Sequence, residues 1–440
     1  MAIDFTLTTE QQHIKRTARQ YAREVLKPLI AQAEAEPDPQ KAFVITKPAY
    51  IEAYRLGFVT GFLPEEYGGA GFKHLDAMLA VEEIAAVDGG FCATLGVNAL
   101  ALNPIVWFGT AEQKQKWLNE ATSDPTGEYI ASFAVSEPNG TANFDHPGAL
   151  PAGLGLVAEH DKGRGVYVLN GEKYWPTSSG GWDLKGANLN VVVVRTDPRK
   201  GGGDGLSYML IPRGTAGVNY KAPIDKIGNR TAQCNWIEFS NCCVPEENVL
   251  AVGDGDLGIA KGFTWSGPAV GIVAVGVARA AYEWALDFAR TYKGVGSVPI
   301  IEHQAVGYAL ADVAMKIEAA RYMCWKTAHY LDTFAGEGQA FGAMAKVFCS
   351  ELLMDAVYKC MQVVGVTSLN KEYPMEKFMR DALVFPIYDG GNMGMQRRKI
   401  WGVMADPAFD PMAFAECQPV HYKKSMTGYG VLPVNALPAR

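Results

Sequence analysis

The chain has 440 residues, 48% hydrophobic, 20% charged and 11% aromatic, the proportions of an ordinary folded protein. Lys+Arg number 40 and Asp+Glu 47, a formal charge of −7. With no basic run to offset it, that excess repels phosphate backbones and argues against a nucleic-acid partner. The 47 Gly and 24 Pro are scattered, which excludes a collagenous or disordered chain, and the length allows about three folding units.

Compartment and metal chemistry are bounded by the same reading. The longest apolar stretch, Pro268 to Ala278, covers about half of the ~20 residues a bilayer requires, so no membrane span is expected. Met1 to Phe5 has no basic segment followed by an apolar one, so no secretory signal is expected. Eight cysteines without a CxxC are no disulfide framework, and a reducing, cytoplasmic setting fits them. Seven dispersed histidines without HExxH predict no metal site.

In chain order, residues 1–130 read as a helical domain. Thr8 and Gln11 make a capping-box signature, and Ile14, Ala18, Tyr21 and Val25 share a face behind it. Further helical patterns run through Tyr50 to Leu56, Leu75 to Ala86 and Ala111 to Leu118.

Residues 131–250 change period. Val166 to Leu169, Leu189 to Val194, Tyr208 to Ile211 and Cys234 to Phe239 are short β-rich runs bounded by turn residues. Without helices between them they predict an antiparallel barrel or sandwich. The cluster Gly201 to Gly205 lacks G-x-G-x-x-G spacing and is expected to be a solvent-facing hairpin loop that opens no helix.

Residues 251–420 return to helices. Val277, Ala281, Trp284, Ala285 and Phe288 share one face, as do Val306, Leu310, Val313 and Ile317. Segments 261–292, 300–334 and 338–364 are long enough for an antiparallel four-helix bundle. Residues 421–440, with Pro433 and Pro438, read as an extended tail. The fold class is therefore mostly α with a β domain in the middle.

Four local sequences could carry chemistry, and each has a plainer reading. Ser136 to Asn143 (SEPNGTAN) is a polar turn after an apolar run. In Gly171 to Asp183, Trp175 and Trp182 bracket a hydroxyl-rich turn; they could stack on a flat polar ring or serve as buried anchors. Glu302-His303-Gln304 heads a helix, where a lone His is usually structural. Asp389 precedes Gly390 and Gly391, and Asp-Gly is a common turn dipeptide.

Together the four are more specific. With Val244-Pro245-Glu246-Glu247-Asn248-Val249-Leu250, Glu302-His303-Gln304, Glu372 to Ala382 and Tyr388-Asp389-Gly390, the chain resembles the acyl-CoA dehydrogenase superfamily over roughly residues 1–405. Within it, the SEPNGTAN run, Trp175-Pro176, the stretch 179–187 and Asp389-Gly390-Gly391-Asn392 resemble the nitroalkane oxidase branch. The resemblance implies helical, β and helical domains, a homotetramer and bound FAD. It implies oxidation of nitroalkanes to aldehydes or ketones with release of nitrite and hydrogen peroxide. The alternative it leaves open is acyl-CoA dehydrogenation with Asp389 where glutamate is usual; a third reading, a non-catalytic or DNA-associated flavoprotein, is disfavoured by the acidic charge.

The same resemblance assigns residues. Asp389 is the base that takes an α-proton from carbon, with Ser266 beside it. Trp175 packs on the isoalloxazine, Thr177 contacts its N5, and Phe133 and Ser136 line its edge. Thr141, Asn143, Tyr388 and Gly391 belong to the cofactor site. Lys293, Gln304 and Gln362 lie where the superfamily reaches a neighbouring subunit's FAD. Lys293 is a point charge where arginine is preferred. One departure stands out: the oxidase branch has arginine seven positions past its aspartate, and this chain has Gln396. Arg397 and Arg398 are rotated away by about 100° per residue. Loss of that cation should raise the Asp389 pKa.

Overall fold

The computed structural model describes residues 5–140, 142–334, 338–407 and 409–416. The tail at 421–440 and the cofactor candidate Thr141 lie outside these residues.

Seven helices open the chain: α1 (Thr9–Tyr21), α2 (Lys27–Ala35), α3 (Pro39–Ile45), α4 (Lys47–Arg55), α5 (His74–Ala85), α6 (Gly89–Phe108) and α7 (Ala111–Thr122). The Thr8–Gln11 capping box forms with both reciprocal bonds, which satisfies donors that a helix start leaves orphaned. Helix α6 had no amphipathic signature because it is buried nearly all round, leaving no polar stripe for a 3.6-residue period to reveal. Buried Asn98 at its centre accepts from Ala131 N at 2.8 Å and so pins the first strand to it.

The strands are β1 (Ala131–Ala134), β2 (Val157–Asp161), β3 (Val166–Thr177), β4 (Leu189–Arg195), β5 (Leu206–Pro212), β6 (Val218–Tyr220), β7 (Cys234–Pro245) and β8 (Val249–Leu250). They form one sheet ordered β6-β7-β3-β2-β4-β5-β8, with β1 also on β4. Most pairs are antiparallel, but β1 and β2 each pair with β4 in parallel, so the sheet is mixed. Every residue of β4 is buried, because the sheet is covered on both faces.

The glycine cluster departs from its expected loop. It joins the antiparallel pair β4–β5, yet Gly202–Gly205 makes one helical turn, α8, packed inward. A Cβ on Gly201 would stand 2.3 Å from Pro147 O, and one on Gly202 2.1 Å from Phe144 O. Glycine is needed there for close backbone approach, not for solvent exposure.

The remainder is α9 (Gly255–Thr291), α10 (Gln304–Thr333), α11 (Gln339–Val364), α12 (Met375–Val384), α13 (Arg397–Met404) and α14 (Pro411–Ala415). By length and composition α6 and α9 could each cross a membrane, but 67% of the apolar window of each lies inside this fold. Both are core helices. Helix α9 crosses α11 at a glycine contact, where a Cβ on Gly342 would meet Thr264 O at 2.4 Å and one on Gly267 would meet Gly342 O at 2.2 Å. Lys377 on α12 bonds Asp381 at 2.6 Å and Asp88, the N-cap of α6, at 2.8 Å. Asp381 in turn accepts from Asn229 N at 2.6 Å. That buried network joins both helical parts to the chain between the strands.

Candidate active site

Two structures meet at the site: the first third of α9 and the turn that follows α12. Asp389, Gly390 and Gly391 have φ of 53°, 82° and 47°. Three left-handed residues in a row reverse the chain, and Asp is among the side chains that tolerate this conformation. The turn reading therefore holds, and the turn sets the direction of the carboxylate. A π-helical segment, Gly391–Gln396, carries the chain on into α13.

The Asp389 carboxylate is half-buried, and its Oδ2 accepts from Ser266 Oγ at 2.7 Å. Among the described residues no group bonds Oδ1. Burial holds the carboxyl above the usual aspartate range, partly countered by Lys346, the Ser266 bond and Lys399. An aspartate in this state is a stronger base than a solvated one. Tyr388 beside it is pushed well up by burial. A Cβ on Gly391 would meet nothing within 4 Å, so the turn faces open space there.

The second group of candidates gathers at the ends of β1 and β3. Ser132 Oγ donates to Thr177 O at 2.6 Å, and Tyr174 N donates to Ser136 O at 2.8 Å. The β3–β7 register shifts between Tyr174 and Thr177. At that bulge Trp175 has φ 75° and is 45% exposed, while Pro176 has no N–H to give the ladder. The Thr177 hydroxyl is half-buried, and among the described residues its hydrogen-bond partner is the Cys234 sulfur at 3.8 Å. Phe133 is 9% exposed, with its ring stacked on Tyr208 at 6.0 Å.

The two tryptophans separate cleanly. Trp182 is an anchor, stacked on Phe43 at 4.4 Å and donating from Nε1 to Glu128 O at 2.9 Å. Trp175 is the open one. Asn143 is exposed and accepts from His146 N at 3.0 Å. Lys293, Gln304 and Gln362 are exposed and are not joined to Asp389 or Trp175 within this chain; the Gln304 amide donates to the Tyr308 hydroxyl.

Missed by sequence reasoning were two buried lysines. Lys346 on α11 donates to Asn392 Oδ1 at 2.8 Å and Phe385 O at 3.2 Å. Lys399 on α13 donates to Thr264 Oγ1 at 2.5 Å and Ala260 O at 3.0 Å. A lysine inside a helical pattern gives no signal that its ammonium is buried.

Models of the acyl-CoA dehydrogenase N-terminal, middle and C-terminal domains match residues 8–124, 132–242 and 253–404. The chain belongs to the acyl-CoA dehydrogenase family. It is thereby an FAD-dependent oxidoreductase. Nitroalkane oxidase of Fusarium oxysporum is 33% identical over 430 residues, 93% of this chain and 97% of that protein. The mitochondrial short-chain specific acyl-CoA dehydrogenase of Sus scrofa is 33% identical over 387 residues, 86% of each chain. A solved structure of the flavoprotein nitroalkane oxidase, concerned with the roles of an arginine and an aspartate seven residues before it, superposes with a TM-score of 0.88 at 30% identity. It covers 94% of this chain and 100% of its own length.

The residues fit FAD. An indole 45% exposed on a bulge offers a face to a flat ring. A threonine hydroxyl without an oxygen or nitrogen partner among the described residues lies two residues on, and Gly391 leaves room beside the carboxylate.

Proposed function

We propose that this chain oxidises nitroalkanes to aldehydes or ketones, releasing nitrite and hydrogen peroxide. The observation that carries this reading is Asp389, held through one oxygen by Ser266 at 2.7 Å while the other is free to take a proton. A nitro group delocalises the charge left on the α-carbon, so a carboxylate whose basicity is raised by burial suffices as general base. Ser266 fixes which oxygen faces the substrate and stabilises the ionised form before the proton arrives.

FAD, when bound, supplies two-electron oxidation and reaction with dioxygen. Trp175 and Thr177 would hold its ring system, with Ser136, Tyr388 and Gly391 around it. Phe133 would line the edge of that ring system together with Ser136. We infer that Lys293, Gln304, Gln362 and Asn143, exposed in one chain, act across subunits of a homotetramer or on the outer part of the cofactor. The seven described cysteines are all unpaired, which agrees with a cytoplasmic setting.

The similarity to a short-chain acyl-CoA dehydrogenase keeps thioester dehydrogenation as the second reading, with the same base. Anaerobic mixing of the FAD-loaded enzyme with nitroethane, and separately with an acyl-CoA, decides between them. Flavin bleaching with nitrite is the expected result. Bleaching by the thioester alone would establish the second reading instead.

A further inference from the structure

Gln396 occupies the place of the oxidase relative's arginine, but among the described residues its side-chain amide donates to the Asp389 carbonyl, at 2.9 Å. The two arginines after it are committed elsewhere. Arg397 makes a bidentate pair with Glu351, both bonds 2.7 Å, and Arg398 reaches Ala142 O at 2.7 Å and Asp145 Oδ1 at 2.9 Å. Lys399 is three positions past Gln396, so it lies on the same helical face about one turn on. It is 4% exposed, and its Nζ grips α9 at Ala260 and Thr264, just before Ser266. Lys346 grips the other half of the site, bracketing Asp389 between Phe385 and Asn392.

Neither lysine has a carboxylate within ion-pair distance among the described residues. A buried ammonium without one is costly. We propose that Lys399, together with Lys346, is the positioning cation of Asp389, so that the charge the relative carries on its arginine has moved one turn along α13. The inference rests on Asp389 acting as the base.

Electrostatics agree with the geometry. Asp389 is the anion that favours the charged form of both lysines, against burial that brings Lys399 down to about 7 and Lys346 to about 8. The other titratable groups around Asp389 are Tyr388 beside it, Glu351 across Lys346, and Cys92 and Asp381 behind Tyr388.

The test uses FAD-loaded enzyme and two readouts. Isotope-edited infrared difference spectra against Asp389→Asn titrate the Asp389 carboxyl directly. Kinetics compare neutral nitroethane with its pre-ionised nitronate, which needs no base. In Lys399→Met the carboxyl midpoint should rise by about one unit, with about tenfold lower kcat/KM for nitroethane on the acid side. The nitronate rate should hold, and adding Gln396→Arg should restore the midpoint. Lys399→Gln, which keeps a donor, replaces Met if that variant fails to bind flavin. An unmoved midpoint in the uncharged variant, or no recovery with Gln396→Arg, overturns the proposal. Wild type releasing no nitrite from nitroethane would sink the functional reading alone, since the infrared titration still decides the role of Lys399.

Discussion

Replacing Ser266 by alanine removes the only described hydrogen bond to the Asp389 carboxylate, 2.7 Å long and made by a side chain 5% exposed. A hydrogen bond to a charged group is worth about 1.5–3 kcal/mol. The bond favours the ionised carboxylate, so its loss raises the folded-state pKa. At 1.36 kcal/mol per unit the rise is about 1–2 units. No second donor stands ready, because Lys346 and Lys399 act on the carboxylate only through space. The acid limb of kcat/KM for nitroethane should therefore move up by about 1–2 pH units, with about 10- to 100-fold less activity below it. Nitrite release across pH, normalised to bound flavin, reads this out. A profile superimposable on that of wild type would show that Ser266 does not hold the base in its ionised form.

Three further outcomes follow from the same geometry. Gly342→Ala forces a Cβ to 2.4 Å from Thr264 O and so pushes α9 from α11. It should cost about 1–3 kcal/mol in urea unfolding and also lower kcat/KM, because Ser266 and Lys346 ride on those two helices. Trp175→Ala should weaken FAD binding by about tenfold in fluorescence titration while moving apoprotein stability by less than about 0.5 kcal/mol, as expected of an exposed side chain. Unchanged flavin affinity would remove Trp175 from the cofactor site. Lys346, lowered from 10.5 to about 8 by burial, binds more protons unfolded than folded between those values. Stability should accordingly rise with pH across that window, by up to about 1.4 kcal/mol per unit. Lys346→Met should lose that slope in unfolding curves at pH 8 and pH 10.

Where local interactions decide structure, the sequence was readable. Thr8 and Gln11 cap α1 as their spacing indicated, and the β-branched runs around Val191 and Ile237 are strands. Asp389 was singled out by its motif, although its glycine neighbours alone suggested only a turn. Helix α6 escaped because periodicity needs contrast between faces, and burial on every side erases it. The Gly201–Gly205 cluster was misplaced because only the chain at 144–147, packed against it, makes glycine necessary.

By itself, then, the amino-acid order determined the amphipathic helices, the β-rich runs, the family resemblance and the choice of Asp389 as the candidate base, since each depends on residues near one another in the chain. Tertiary structure decided that Ser266, 123 residues away, donates to Asp389, that Trp175 is open while Trp182 packs on Phe43, and that Lys346 and Lys399 are buried against the elements that carry that pair. Those are facts about burial and long-range distance. A charged side chain on a helix has the same local signature whether it meets water or a buried carbonyl, and only packing distinguishes the two.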